Sequence, residues 1–199
     1  MNIKIMQFGL PITLFIFGFL ESTFAQNDFL SKTELAKQKE FLDLKEALKK
    51  PAKVFKLSLW DMQLTEVPTT IGKLTNIQQL RISHNQLKNL PSTFAQLTKV
   101  QRLNMEHNSF SEFPKELFAL KNLERLDMHK NKLTAIPNEI AQLTQLEELD
   151  LHANQISNLP IEALAQLNKL TYLNIAENPI PKEQVIELQK RLPNTKINF

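Results

Sequence analysis

Residues 146–160 read LEELDLHANQISNLP, and three earlier stretches say nearly the same: LERLDMHKNKLTAIP at 123–137, VQRLNMEHNSFSEFP at 100–114 and IQQLRISHNQLKNLP at 77–91. Counting from the first apolar residue, each unit is apolar at positions 1, 4, 6 and 11, carries Asn at 9 and an apolar residue with Pro at 14 and 15, and is apolar again at 18 and 21. Units begin at Val54, Ile77, Val100, Leu123 and Leu146, and an incomplete one begins at Leu170. The period is 23 residues until the fifth unit, which has 24 because LPIEALAQL is one residue longer than LPSTFAQL.

Apolar positions 4 and 6 alternate with polar 3, 5 and 7, the period-2 signature of a short strand with one buried face. One unit cannot bury its own apolar residues, so neighbours stack into a solenoid with a continuous core and a parallel sheet. Roughly seven buried side chains per unit, at about 1.5–3 kcal/mol each before entropy is subtracted, drive that stacking. Where the strand bends, Asn85, Asn108, Asn131, Asn154 and Asn178 are expected to satisfy backbone groups that lose their sheet partners. Met62 replaces Asn in the first unit. Pro68, Pro91, Pro114, Pro137 and Pro160 leave about five residues of return path, which favours an extended or 3-10 course.

The pattern LxxLxLxxNxLxxLPxxFxxLxx resembles the leucine-rich repeat family in its 23-residue class. The resemblance covers residues 54–180 and implies an α/β fold: a right-handed solenoid whose parallel β-sheet lines the concave side, commonly used to bind other proteins. Fold alone does not fix function. The units are expected at 54–76, 77–99, 100–122, 123–145, 146–169 and, in part, 170–180.

An open solenoid needs capped ends. At residues 26–53 one helix is expected, opened by a Ser31/Glu34 capping box and stopped by Pro51. A helix that binds a partner or a membrane surface is the rival reading of that segment. At 181–199, Val185, Leu188 and Leu192 stand at helical spacing before Pro193, and TKINF can add an edge strand.

The first 25 residues hold Lys4, an apolar run from Phe8 to Leu20, and small residues Thr23 and Ala25 before Gln26. That reads as a signal peptide, 1–25, and its run is shorter than the about 20 residues that span a bilayer. The expectation is an exported protein, periplasmic, cell-surface or extracellular, with no membrane span after cleavage. There is no cysteine, which excludes a thiol nucleophile, a cysteine zinc site and a lipidated cysteine. A net charge of +3 does not argue for nucleic acid, which requires a concentrated basic stripe.

On the sheet face the variable side chains run in columns on strands about 4.8 Å apart. Position 3 is Lys56, Gln79, Arg102, Arg125, Glu148, Tyr172; position 5 is Ser58, Arg81, Asn104, Asp127, Asp150, Asn174; position 7 is Trp60, Ser83, Glu106, His129, His152, Ala176; position 8 is Asp61, His84, His107, Lys130, Ala153, Glu177. The expected partner footprint is Arg81, His84, Arg102, Glu106, His107, Arg125, Asp127, His129, Asp150, His152 and Tyr172. Six strands span roughly 24 Å, enough for about 800 Å² on one side of an ordinary interface. Trp60 belongs either to that surface or under the N-terminal cap.

The four histidines form two laddered pairs, His84 with His107 and His129 with His152. With Asp127, Asp150 and Glu106 a metal site can be drawn, but an open sheet lacks the surroundings that orient ligands, and solvated contact residues are the reading preferred from sequence. Asp127 and Asp150 are the minimum for acid/base hydrolysis, yet nothing in the sequence builds a pocket around them, and no phosphate loop or HExxH helix is present. The sequence therefore describes a monomeric, non-catalytic protein or peptide binder with no cofactor and no resident metal. A glycan or cell-wall polymer is the alternative ligand, and a metal-dependent hydrolase the minor one.

Overall fold

A computed structural model describes residues 29–199, so the expected signal peptide lies outside the described residues. Positions 3 to 5 of each unit are strands: β2 (Lys56–Ser58), β3 (Gln79–Arg81), β4 (Arg102–Asn104), β5 (Arg125–Asp127), β6 (Glu148–Asp150) and β7 (Tyr172–Asn174). β1 (Glu40–Phe41) and β8 (Lys196–Asn198) flank them, giving one eight-stranded parallel sheet in sequence order. Arg102 lies beside Arg125, and Asp127 beside Asp150, in direct register. These elements belong to the unit Ser31–Phe199.

The alternation does the sorting. Leu57, Leu80, Leu103, Leu126, Leu149 and Leu173 are buried, as are the position-6 residues Leu59, Ile82, Met105, Met128, Leu151 and Ile175. Phe94 and Phe110 fill the largest share of the interior among residues with no exposure. Gly72 stands where the return limbs of the first two units touch: a Cβ there would lie 2.7 Å from the Thr93 carbonyl oxygen.

The asparagines tie one unit to the next. Asn131 Nδ2 donates to the carbonyls of Met128 (3.0 Å) and Met105 (3.1 Å), while its Oδ1 accepts from the Phe110 N–H at 3.1 Å. Asn85 serves the first unit likewise, its Oδ1 accepting from both Met62 N–H (3.0 Å) and Leu64 N–H (2.9 Å), so a unit without its own asparagine still has its turn satisfied.

After Pro68, Pro91, Pro114 and Pro137 the return limb is a 3-10 turn, at Thr69–Lys73, Ser92–Gln96, Lys115–Ala119 and Asn138–Gln142. The fifth unit instead makes a short α-helix, Ile161–Leu164. Its extra residue supplies the wider turn that an i to i−4 bond needs.

The N-terminal segment departs from the single helix expected. Helix α1 (Lys32–Lys37) opens on the Ser31/Glu34 capping box but ends at Gln38, whose backbone is extended. β1 follows and pairs with β2; α2 (Leu44–Ala47) is capped by Asp43, and Pro51–Lys53 is a 3-10 turn. The break has a physical reason: a continuous helix would leave the Lys56–Ser58 edge without backbone partners. At the other end, helix Lys182–Arg191 buries Val185 and Leu188, and β8 pairs with β7.

Candidate functional site

The outward side chains of β2 to β7 share one face because the strands are in register and their alternate residues are buried in the core. A hollow of about 410 Å³ crosses this face, bordered among others by Arg81, Arg102, Arg125, Asp127, Asp150 and Tyr172. Six of the eleven expected footprint residues thus meet in one depression.

Position 5 has a local duty that the sequence reading missed. Its side-chain oxygen accepts the backbone N–H two residues on: Asn104 from Glu106 (3.1 Å), Asp127 from His129 (3.1 Å), Asp150 from His152 (3.0 Å). This turn closes β4, β5 and β6, in the manner of an Asx turn. Asp150 spends its other oxygen on Asn174 Nδ2, at 3.0 Å. The signal was present, since Asn and Asp at a strand end are turn formers.

The basic side is unevenly compensated. Arg125 pairs with Glu148 at 2.9 Å. Arg81 donates from Nε to Ser83 Oγ at 2.9 Å, stands 5.4 Å from the Trp60 ring and reaches Glu106 only at 3.7 Å. Among the described residues Arg102 has neither an ion pair nor a side-chain hydrogen bond, and it faces Arg125 across the sheet. Trp60 is 45% exposed, so it belongs to the surface rather than under the N-terminal segment.

The histidines make one row, not two separate pairs. His84 stacks on His107 (centroids 4.1 Å), His107 meets His129 edge-on (5.4 Å), His129 tilts toward His152 (6.3 Å), and Trp60 adds an edge contact to His84 (5.7 Å). His84, His107 and the other position-8 residues have φ of 50–55°, in the left-handed region. That bend turns the chain out of the strand, and the histidines of positions 7 and 8 come together along one rim. Glu106 lies within the row: its carboxylate is 3.2 Å from His129 Nε2 and 3.7 Å from His84 Nε2. His129 Nδ1 is 2.7 Å from Asp127 Oδ1, and His152 Nδ1 donates to the Ala176 carbonyl at 3.1 Å.

Burial, followed by the positive potential of His84, Lys130 and His129, pushes the His107 imidazole below its usual range. Burial also raises the Asp127 carboxyl, against the hydrogen bonds from His129. Tyr172 is raised by burial and by Asp150; Lys196 from the last strand stands 6.0 Å from its ring.

Among the described residues no helix is long and apolar enough to cross a membrane. No curated protein matches the chain. Solved structures do: a leucine-rich repeat protein of Leptospira interrogans (26% identity, 80% of this chain against 58% of that one, TM-score 0.56) and an internalin C2 from Listeria monocytogenes (25%, 81% against 68%, TM-score 0.67). An internalin, inlF, from Listeria monocytogenes shares the fold at 21% identity (79% against 50%, TM-score 0.60). The chain spans between half and about two thirds of these proteins' lengths. A profile described as a leucine-rich repeat region matches residues 47–131, and one described as leucine rich repeat matches 121–180. With the repeating sequence, the stacked parallel strands and both profiles in agreement, the chain belongs to the leucine-rich repeat family.

Proposed function

We propose that this protein is an exported, monomeric, non-catalytic binding module that takes a protein or peptide segment on the polar face of its sheet. Leucine-rich repeat proteins are typically protein-interaction scaffolds, which supports the class of partner. The observation that carries the reading is Arg102, which among the described residues has no ion pair, in direct register with Arg125 and lining the same hollow as Arg81 and Tyr172. Like charges in direct register are unfavourable, and a partner carboxylate on Arg102 relieves the Arg102/Arg125 opposition. Arg and Tyr are also the residue types that most often dominate interfaces.

A mostly ionic hollow with one aromatic suits a charged polypeptide better than a neutral glycan, whose rings stack on aromatic platforms. The Asp127 and Asp150 carboxylates are already engaged by backbone N–H groups, which favours binding over hydrolysis.

The test is to retrieve partners from the native envelope and medium fractions with wild-type protein and with Arg102→Glu, identifying them by mass spectrometry. A partner held by the wild type should be lost at least tenfold on the variant while circular dichroism is unchanged. Equal capture by both proteins would move the site off this face, and glycan-array binding without protein capture would favour the other ligand class.

A further inference from the structure

The imidazole row carries a second consequence, independent of any protein partner. Glu106, Asp127 and His129 offer donor atoms that all lie within 4.8 Å of one another. Glu106 also faces a second imidazole, since Oε2 is 3.2 Å from His129 Nε2 and Oε1 is 3.7 Å from His84 Nε2. We propose that His129 Nε2, the Glu106 carboxylate and His84 Nε2 bind one divalent transition-metal ion of the zinc class, with Asp127 holding His129 from behind.

The spacing suits such an ion. With ligand bonds of about 2.0–2.2 Å, neighbouring donor atoms stand roughly 3–3.5 Å apart, so the His129/Glu106 pair is already at the required separation. His84 Nε2 stands 3.7 Å from the other Glu106 oxygen and must move toward His129 to close the third bond. The hydrogen bond from His129 Nδ1 to Asp127 Oδ1, at 2.7 Å, is the arrangement that fixes a metal-bound imidazole in one tautomer and raises its basicity.

An imidazolium clasped between two carboxylates would account for His129 alone. It leaves unexplained why a second imidazole points at the same carboxylate and a third, His107, stacks on that one at 4.1 Å. Adjacent imidazoles repel one another when protonated, whereas a metal ion takes its two imidazole ligands, His84 and His129, in the neutral form. The donor set has two imidazoles and one direct carboxylate, which selects borderline ions such as Zn²⁺ or Ni²⁺ over Ca²⁺ or Mg²⁺. The cations facing the site are Arg81, 3.7 Å from Glu106, and Lys130, which acts electrostatically on His107. Arg81 competes with the ion for Glu106, so removing its charge must strengthen binding.

The experiment is calorimetric titration of the untagged, chelator-treated chain with Zn²⁺ at pH 7.5, repeated with Co²⁺ while its visible absorption is followed. One equivalent should bind. His129→Ala and Glu106→Gln should each lose at least tenfold in affinity, Asp127→Asn should lose about ten- to hundredfold, and Arg81→Gln should bind several-fold more tightly. His152→Ala should match wild type. Circular dichroism of each variant confirms that the fold is intact. Absence of a stoichiometric event, or an affinity indifferent to His129 and Glu106, would overturn the proposal, and so would a weaker ion on Arg81→Gln.

Discussion

Burial first, and then His84 stacked on it, Lys130 and His129 at its edge, disfavour the positive charge of His107, with Glu106 as the opposing influence. Its folded pKa therefore lies below the unfolded value of about 6.5. The folded chain binds fewer protons in that window, so the contribution of His107 is complete above about pH 6.5 and is lost as pH falls through the folded value. His107→Gln removes this dependence. In urea denaturation, the stability of wild type relative to His107→Gln should fall between pH 7.5 and 5.5; a constant difference would show that the stacked pair does not hold the imidazole neutral. The histidines themselves were legible as columns in the repeat. Their union into one row was not, because it depends on left-handed backbone at position 8. Glycine or asparagine normally announces that conformation, and here His84, His107, Lys130, Ala153 and Glu177 adopt it.

At the scale of elements, the strands could be read at once, since apolar residues two apart leave only one choice of inward face. The asparagine at the bend could be read for the same reason: a chain leaving a sheet inside a core must find new partners for its backbone. Asn131 shows what is at stake, with one buried amide serving the bends of two units. Asn131→Ala leaves the Phe110 N–H and the Met105 and Met128 carbonyls without this partner, and the melting transition should show a loss of about 1–3 kcal/mol. An unchanged melting temperature would contradict it. The N-terminal segment misled because its local signals are correct as far as they go. Ser31 does cap a helix, but the need of the β2 edge for a neighbour is a tertiary demand that no capping box reveals, and Phe41 answers it with a strand. The position-5 turns lay between these cases, visible in composition but overlooked among the face residues.

For the whole molecule, stability is shared between neighbours in a line, so each end must be closed by something unlike a repeat. Val185, Leu188 and Leu192 join the same core as Leu164, Leu170 and Leu173, and β8 completes the backbone bonding of β7. A chain ending at Ile180 uncovers both that apolar surface and a free strand edge. Calorimetry should find its unfolding broadened and shifted to lower temperature, and light scattering should find self-association; a sharp transition at the wild-type temperature with a monomeric mass would show that the last helix and strand contribute nothing.

The additional residue of the fifth unit, absorbed by the short helix Ile161–Leu164, did not disturb the pairing of Asp150 with Asn174 on the opposite side. The back of the molecule is thus where length can vary freely, while the front keeps its ruled spacing. An inserted tag or fluorophore tolerated in that outer bend would leave every outward side chain of the sheet where it stands, and a lineage of such proteins can change girth while its front stays in step.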